Sequence, residues 1–270
     1  AMTFIQAKLN PLETEARAAL SDAEFEAIRD ADLMVLITPY LIIGVVVLLM
    51  FAVIAMMRMP HNGDESHDIR FFSTLKRIFS ISRYREGVIA QFFYVGAQIM
   101  CWTFIIQYGT RVFMLEGMDE KTAEVLSQKY NIIAMVIFCC SRFVCTYLLR
   151  YVNAGKLLAV LAIAAAILTA GVILFQDRMG IYCLVGVSAC MSLMFPTIYG
   201  IALNGLGEDA KFGAAGLIMA ILGGSVLPPL QASIIDCGTI GNFPAVNLSF
   251  TLPLICFLVI IVYGLRRARD

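Results

Sequence analysis

Seven apolar stretches, each about as long as a lipid bilayer is thick, constrain this chain more than any other feature. They run over Leu33–Met57, Val88–Tyr108, Asn131–Leu149, Leu157–Phe175, Gly180–Leu203, Gly213–Ile235 and Leu248–Leu265. A hydrocarbon core of ~30 Å takes about 20 residues of helix to cross. No water is present there to satisfy backbone groups, so each stretch is predicted to be a helix. The expected fold class is all-α and integral to a membrane.

The connections between the stretches alternate in charge. Arg58, Arg70, Lys76, Arg77, Arg83 and Arg85 crowd the connection Arg58–Gly87, and Arg150, Lys156, Lys211, Arg266, Arg267 and Arg269 fall on the same side. The other side carries Lys8, Arg17, Arg29, Lys121, Lys129 and Arg178, half as many. Acids gather there at Glu13, Glu15, Asp22, Glu24, Glu26 and Asp30, and at Glu116, Asp119, Glu120 and Glu124. Cytoplasmic loops hold the excess of Lys and Arg, so the Arg58–Gly87 loop and the C-terminus are expected inside and the N-terminus outside.

Of the 270 residues, 60% are hydrophobic and only 15% charged, where a soluble domain carries about a quarter. Mean hydropathy is +0.83. Lys plus Arg and Asp plus Glu both number 20, which gives no basic field for nucleic acid. The eight cysteines lie mostly within apolar stretches, with no C-x-x-C pair. The two histidines, His61 and His67, sit together in the basic loop, so neither a metal nor a cofactor is expected. No G-x-S-x-G, H-E-x-x-H or P-loop is present, and no signal-peptide pattern. Enzymatic activity is therefore not expected. A retinal protein is disfavoured too, because Leu248–Leu265 contains no lysine for a Schiff base.

Four regions follow. Residues 1–32 form a polar, helix-prone outer segment, with Ser21 and Glu24 spaced as a capping box. Residues 33–57 form one isolated membrane helix, residues 58–87 a basic cytoplasmic linker, and residues 88–270 a six-helix bundle with a short tail. The chain opens on Ala, and the asymmetric plan is that expected of a fragment lacking five upstream helices.

Candidate functional residues are polar or aromatic groups repeated along helix faces. Gln91, Tyr94, Gln98, Trp102 and Tyr108 recur mostly at three and four residues, as one face requires. Amides exchange hydrogen bonds with sugar hydroxyls and aromatic rings cover a sugar's C–H face; the competing role is hydrogen bonding between helices. Asn131 and Arg142 lie three turns apart on one face. An arginine within a span costs ~2.5–3.5 kcal/mol on insertion scales, and faces the bundle interior or snorkels to the membrane surface. Ser188, Ser192, Phe195 and Tyr199 share another face, where Pro196 removes one backbone bond and frees the Ser192 carbonyl. Gly216, Ala220 and Gly224 form a small-residue stripe ahead of Pro228 and Pro229, which is expected to act as a packing seam and a kink or hinge. No carboxylate lies deep in a span, and Asp236 comes nearest from the outer end of the sixth.

Several of these residues also carry a resemblance. Thr38-Pro39-Tyr40, Gln91-Phe92-Phe93-Tyr94-Val95-Gly96-Ala97-Gln98, Cys101-Trp102, Ser141-Arg142-Phe143, Pro196-Thr197-Ile198, Asn204-Gly205-Leu206-Gly207, Lys211-Phe212-Gly213 and Gly223-Gly224 resemble, over essentially the whole chain, the fucose/glucose/galactose proton symporters of the major facilitator superfamily. The resemblance implies two six-helix halves with sugar bound between them. This chain then supplies the last helix of the N-terminal half and all of the C-terminal one. It implies proton symport in a bacterial inner membrane, with coupling carboxylates in the absent half. Tyr94, Gln98, Trp102, Asn131, Arg142, Phe195 and Tyr199 are the implied sugar-binding residues. Gln98 stands where glucose/galactose members carry Glu, which favours L-fucose; Phe195 stands where a relative has Tyr. A glucose, galactose or N-acetylglucosamine carrier is the first alternative. A non-transporting sensor or scaffold using the Arg58–Gly87 loop is the second.

Overall fold

A computed structural model of the chain describes residues 21–57, 71–240 and 243–269. The segment 1–20 and the stretch holding His61 and His67 lie outside the described residues. The chain divides into two compact units, Ala1–Asp68 and Ile69–Asp270.

The first unit is helix α1, Asp22–Met56. The backbone N–H and hydroxyl of Ser21 both donate to a Glu24 carboxylate oxygen, at 3.3 and 2.7 Å. The outer segment, residues 1–32, and the first span, residues 33–57, were expected as separate elements. Instead one 35-residue helix runs through Pro39. A proline inside a helix removes one bond to the carbonyl four residues before, here that of Val35, and the helix continues past it. At 1.5 Å per residue α1 is ~52 Å long, well beyond a bilayer core.

The second unit is a bundle. It comprises α2 (Phe71–Ser80), α3 (Ser82–Leu115), α4 (Glu120–Leu148), α5 (Ala154–Leu174), α6 (Arg178–Met191) and α7 (Met194–Leu203), then α8 (Ala210–Met219), α9 (Gly223–Ile235), α10 (Ala245–Ser249) and α11 (Thr251–Arg267). Two-residue strands β1 (Thr239–Ile240) and β2 (Phe243–Pro244) pair antiparallel between α9 and α10, with Ile240 opposite Phe243. Counting α6–α7, α8–α9 and α10–α11 each as one crossing, the described residues hold seven helices long and apolar enough to span a membrane. The crossings agree in number with the apolar stretches, and most extend beyond them because polar ends stay helical past the hydrocarbon.

Helix α3 is the axis, packing on α4, α6, α7, α9 and α11. Its glycines make this possible. A β-carbon on Gly87 would run into Ala202 of α7, one on Gly96 into Leu227 of α9, and one on Gly109 into Ser127 of α4. Each missing side chain lets a different neighbour approach, as small-residue seams do in membranes.

The basic end of the bundle is closed by α2, which lies within the Arg58–Gly87 linker. Arg77 grips Asp209 through two bonds, at 2.6 and 2.8 Å. Ile78 is buried with Tyr84, Ala202, Leu206 and Leu217 in a small core of its own. Gly205 (φ 86°) and Gly207 (φ 55°) turn the chain on either side of Leu206, a left-handed geometry that other residues strain to adopt. Glu86 accepts from Arg266 and Arg267 at 2.8 and 2.7 Å.

At the opposite end Arg178 holds Glu116 through Nε at 2.8 Å and Nη2 at 2.6 Å. The Arg178 hydrogen bonds hold the Glu116 carboxyl below its ordinary range. The stability this contributes is present above the unfolded carboxylate's titration range, and is lost as pH falls through the depressed folded value. Acidifying the purified protein in its complete reading frame is expected to lower its thermal midpoint in a step that Glu116→Gln lacks. An identical acid profile for that variant would count against this contribution.

Candidate functional site

The site is built around a break in a helix. Helix α6 ends at Met191 and α7 resumes at Met194, leaving Ser192 and Leu193 as a turn. Pro196 has no N–H to return to the Ser192 carbonyl, so that oxygen needs another donor. Arg142 of α4 provides it, through Nε at 3.3 Å. The carbonyl of Met191, one residue earlier, accepts the hydroxyl of Tyr94 from α3 at 2.9 Å. Two side chains from two helices thus clamp adjacent carbonyls at one interruption.

Aromatic rings line the same level. Trp102 of α3 donates its indole N–H to Ser188 Oγ at 3.3 Å. It meets Phe138 of α4 edge-on, with centroids 4.9 Å apart. The Arg142 guanidinium lies 5.4 Å from the centroid of that Phe138 ring, within reach of a cation–π contact. Phe195 approaches Tyr94 edge-on at 6.1 Å and stacks with Tyr199 at 6.4 Å.

Five of the seven residues singled out from the sequence are therefore joined: Tyr94, Trp102 and Arg142 through the break and Phe138, Phe195 and Tyr199 through Tyr94. Gln98 is half-buried on α3, one turn from Tyr94 and one from Trp102. Asn131 sits apart, seven residues before Phe138 on α4, or ~10 Å along the axis. Its side-chain oxygen is buried with no hydrogen-bond partner. Tyr94 is fully buried and its hydroxyl is committed to the backbone, so its share in the site is to hold the break. Tyr108 leaves the face altogether: its hydroxyl donates to Phe175 O at 2.6 Å, beyond the end of α5. Six residues from Trp102, it points about 120° away from it.

Phe138 escaped the sequence reading, although its place one turn before Arg142 was the available signal. Gln91 is fully buried with neither amide atom bonded, and Ser192 Oγ is likewise buried without a partner. Unpaired buried polar atoms cost roughly 1–3 kcal/mol each, and a bound hydroxylated ligand or water offsets that cost. The break thus combines a cation, ring faces and a buried hydroxyl, which suits a neutral, hydroxyl-rich ligand.

The second discontinuity lies in α8–α9. The helix passes through a 3₁₀ turn at Ala220–Leu222, and Pro228 and Pro229 remain inside α9. Pro228 and Pro229 free the carbonyls of Gly224 and Ser225; the 3₁₀ turn falls just ahead of these, beside Gly223, which abuts the Phe92 carbonyl of α3.

No protein-family model matches the chain. Curated relatives do. An L-fucose-proton symporter of Haemophilus influenzae is 47% identical over 97% of this chain and 61% of its own length. One of Escherichia coli is 32% identical over 93% of this chain and 56% of its own length. A glucose/galactose transporter of Brucella abortus is 30% identical over the same share of each. The chain spans about three fifths of the length of these relatives. Among solved structures, a major facilitator superfamily transporter, FucP, in the outward conformation superposes with a TM-score of 0.73 at 29% identity, covering 98% of this chain and 62% of that one.

Proposed function

We propose that the chain belongs to the fucose/glucose/galactose:proton symporter family of the major facilitator superfamily and serves L-fucose:proton symport by alternating access. It does so together with an N-terminal set of helices, since the chain spans about three fifths of the relatives' length. The observation that carries the reading is 47% identity to an L-fucose-proton symporter along almost the entire chain. The break at Ser192–Leu193 supplies the local chemistry. Trp102 and Phe195 offer ring faces to the sugar's C–H groups, Gln98 offers an amide to its hydroxyls, and Arg142 holds the wall in shape. Tyr199 extends the aromatic surface by stacking on Phe195, and Asn131 offers a further acceptor one level away. Proton coupling falls to carboxylates of the N-terminal half, since the sequence places none deep in a span.

Glucose or galactose transport is the second reading, favoured by the Brucella abortus relative. The membrane is the inner membrane of a Gram-negative bacterium. The twofold excess of Lys and Arg on the side of the Arg58–Gly87 linker supports a cytoplasmic position for that side and the C-terminus.

The test is proton uptake by cells that lack other sugar permeases and express the complete reading frame. Adding L-fucose to a lightly buffered suspension is expected to raise external pH, whereas galactose, glucose and N-acetylglucosamine leave it unchanged. A response to one of those alone would keep symport and overturn the substrate. Silence toward all four, in protein shown to be inserted, would overturn transport. Gln98→Ala in the same cells is expected to cut L-fucose uptake by about tenfold or more, the loss set by one buried hydrogen-bonding amide of ~1.5 kcal/mol. Unchanged uptake would make Gln98 a packing residue.

A further inference from the structure

An open groove lies at the acidic end of the bundle, away from the helix break. It has a volume of about 740 Å³ between α3, α4 and α9, within the ~300–1,000 Å³ range of small-molecule sites. Gln107, Thr110 and Arg111 of α3 and Glu120 and Glu124 of α4 bring polar groups to it, and Ile235 of α9 forms an apolar wall. Thr110 and Arg111 lie eight and nine residues beyond Trp102, or ~12–13 Å along α3. A monosaccharide bound at Trp102 does not reach that far, so the groove is a separate compartment.

Its chemistry is mixed. The guanidinium donates only, the carboxylates accept only, and Gln107 and Thr110 do both. One cation between two carboxylates leaves no strong field for an anion. Donors and acceptors beside an apolar wall suit a polyol, whose hydroxyls use both and whose C–H face lies on the wall. Below the groove the α4 face continues through Gln128 and Asn131, four and seven residues after Glu124. Gln128 is 4% exposed, and its Oε1, like Asn131 Oδ1, has no hydrogen-bond partner. Seven residues further on the same face stands Phe138, against Trp102. Among the described residues, these two buried acceptors without a partner lie on the stretch of α4 between the groove and the break.

We propose that this groove is an outer binding site for the sugar, occupied independently of the inner site and capturing sugar ahead of it. The proposal rests on the sugar-transport reading above. Saturation-transfer NMR detects weak ligands and suits its test, using the detergent-purified protein of the complete reading frame and L-fucose. The unmodified protein should give signal. Trp102→Ala, which empties the inner site, should retain a substantial part of it, and Trp102→Ala with Arg111→Gln should lose it. Arg111→Gln alone should raise the KM for uptake several-fold with little change in maximal rate. Loss of all signal in Trp102→Ala, with the variant's thermal midpoint preserved, would overturn the outer site and leave the transport reading intact. If Trp102→Ala does not fold, the milder Trp102→Phe and the KM split of Arg111→Gln decide; an unchanged KM would overturn the proposal. No signal and no uptake with the unmodified protein would remove the transport reading and this site together.

Discussion

On the proposed sugar-transport reading, replacing Arg142 by methionine in the complete reading frame is expected to lower L-fucose uptake by at least tenfold while leaving the protein in the membrane. The Nε of Arg142 donates to the Ser192 carbonyl, which Pro196 leaves without a helical partner. Hydrogen bonds from charged donors contribute about 1.5–3 kcal/mol net, and each ~1.4 kcal/mol of lost transition-state stabilisation is a factor of ten in rate. Methionine keeps much of the length and packing against Phe138 but cannot donate. Lysine is not expected to rescue. Its ammonium is a single point on a flexible stem, whereas the guanidinium lies over the Phe138 ring while its Nε donates to the carbonyl. Initial uptake rates, normalised to membrane-inserted protein, check both. Full activity in Arg142→Met would make this contact structural decoration, and full rescue by Lys would show that charge alone matters.

The second large effect is expected at Gly223. A β-carbon there would collide with the backbone carbonyl of Phe92 on α3, not with the end of a flexible side chain. Neither backbone can give way alone, so α9 must retreat from α3 and open the seam that also holds Gly96 against Leu227. Overpacking a close contact costs typically 1–3 kcal/mol. Gly223→Ala should therefore lower the thermal midpoint of the detergent-solubilised protein by several degrees, and Gly223→Leu should abolish accumulation in the membrane. Gly200 has no atom within 4 Å of the equivalent position, so Gly200→Ala is the matched control and should behave like the parent. Equal midpoints for Gly223→Ala and Gly200→Ala would show that the seam relaxes freely.

Individual residues show how far the sequence could be read. The freed Ser192 carbonyl was legible because proline's missing N–H is a property of one residue and its position. The small-residue stripe through Gly216, Ala220 and Gly224 was legible for a similar reason, since absent side chains imply close approach. The donor to that carbonyl was not. Arg142 is fifty residues from Ser192, and its spacing was equally consistent with snorkelling to the membrane surface. Tyr94 and Tyr108 looked alike along the chain, yet one hydroxyl holds the break and the other caps the end of α5. The division expected between residues 32 and 33 is absent, because the polar outer turns continue the helix of the span, which also runs through Pro39.

Sequence by itself determined the membrane-spanning class, the seven crossings and the charge asymmetry between the two sides. These follow from hydrophobic length and from charge, quantities that each segment carries without its neighbours. Tertiary structure alone decided that α3 is the axis, that Trp102 meets Phe138 and Ser188, and that a groove opens around Arg111 while Asn131 stays one level from the break. Those facts depend on which faces of which helices meet. In a bilayer every outward face is apolar, so periodicity does not say which apolar face is turned to lipid and which to protein.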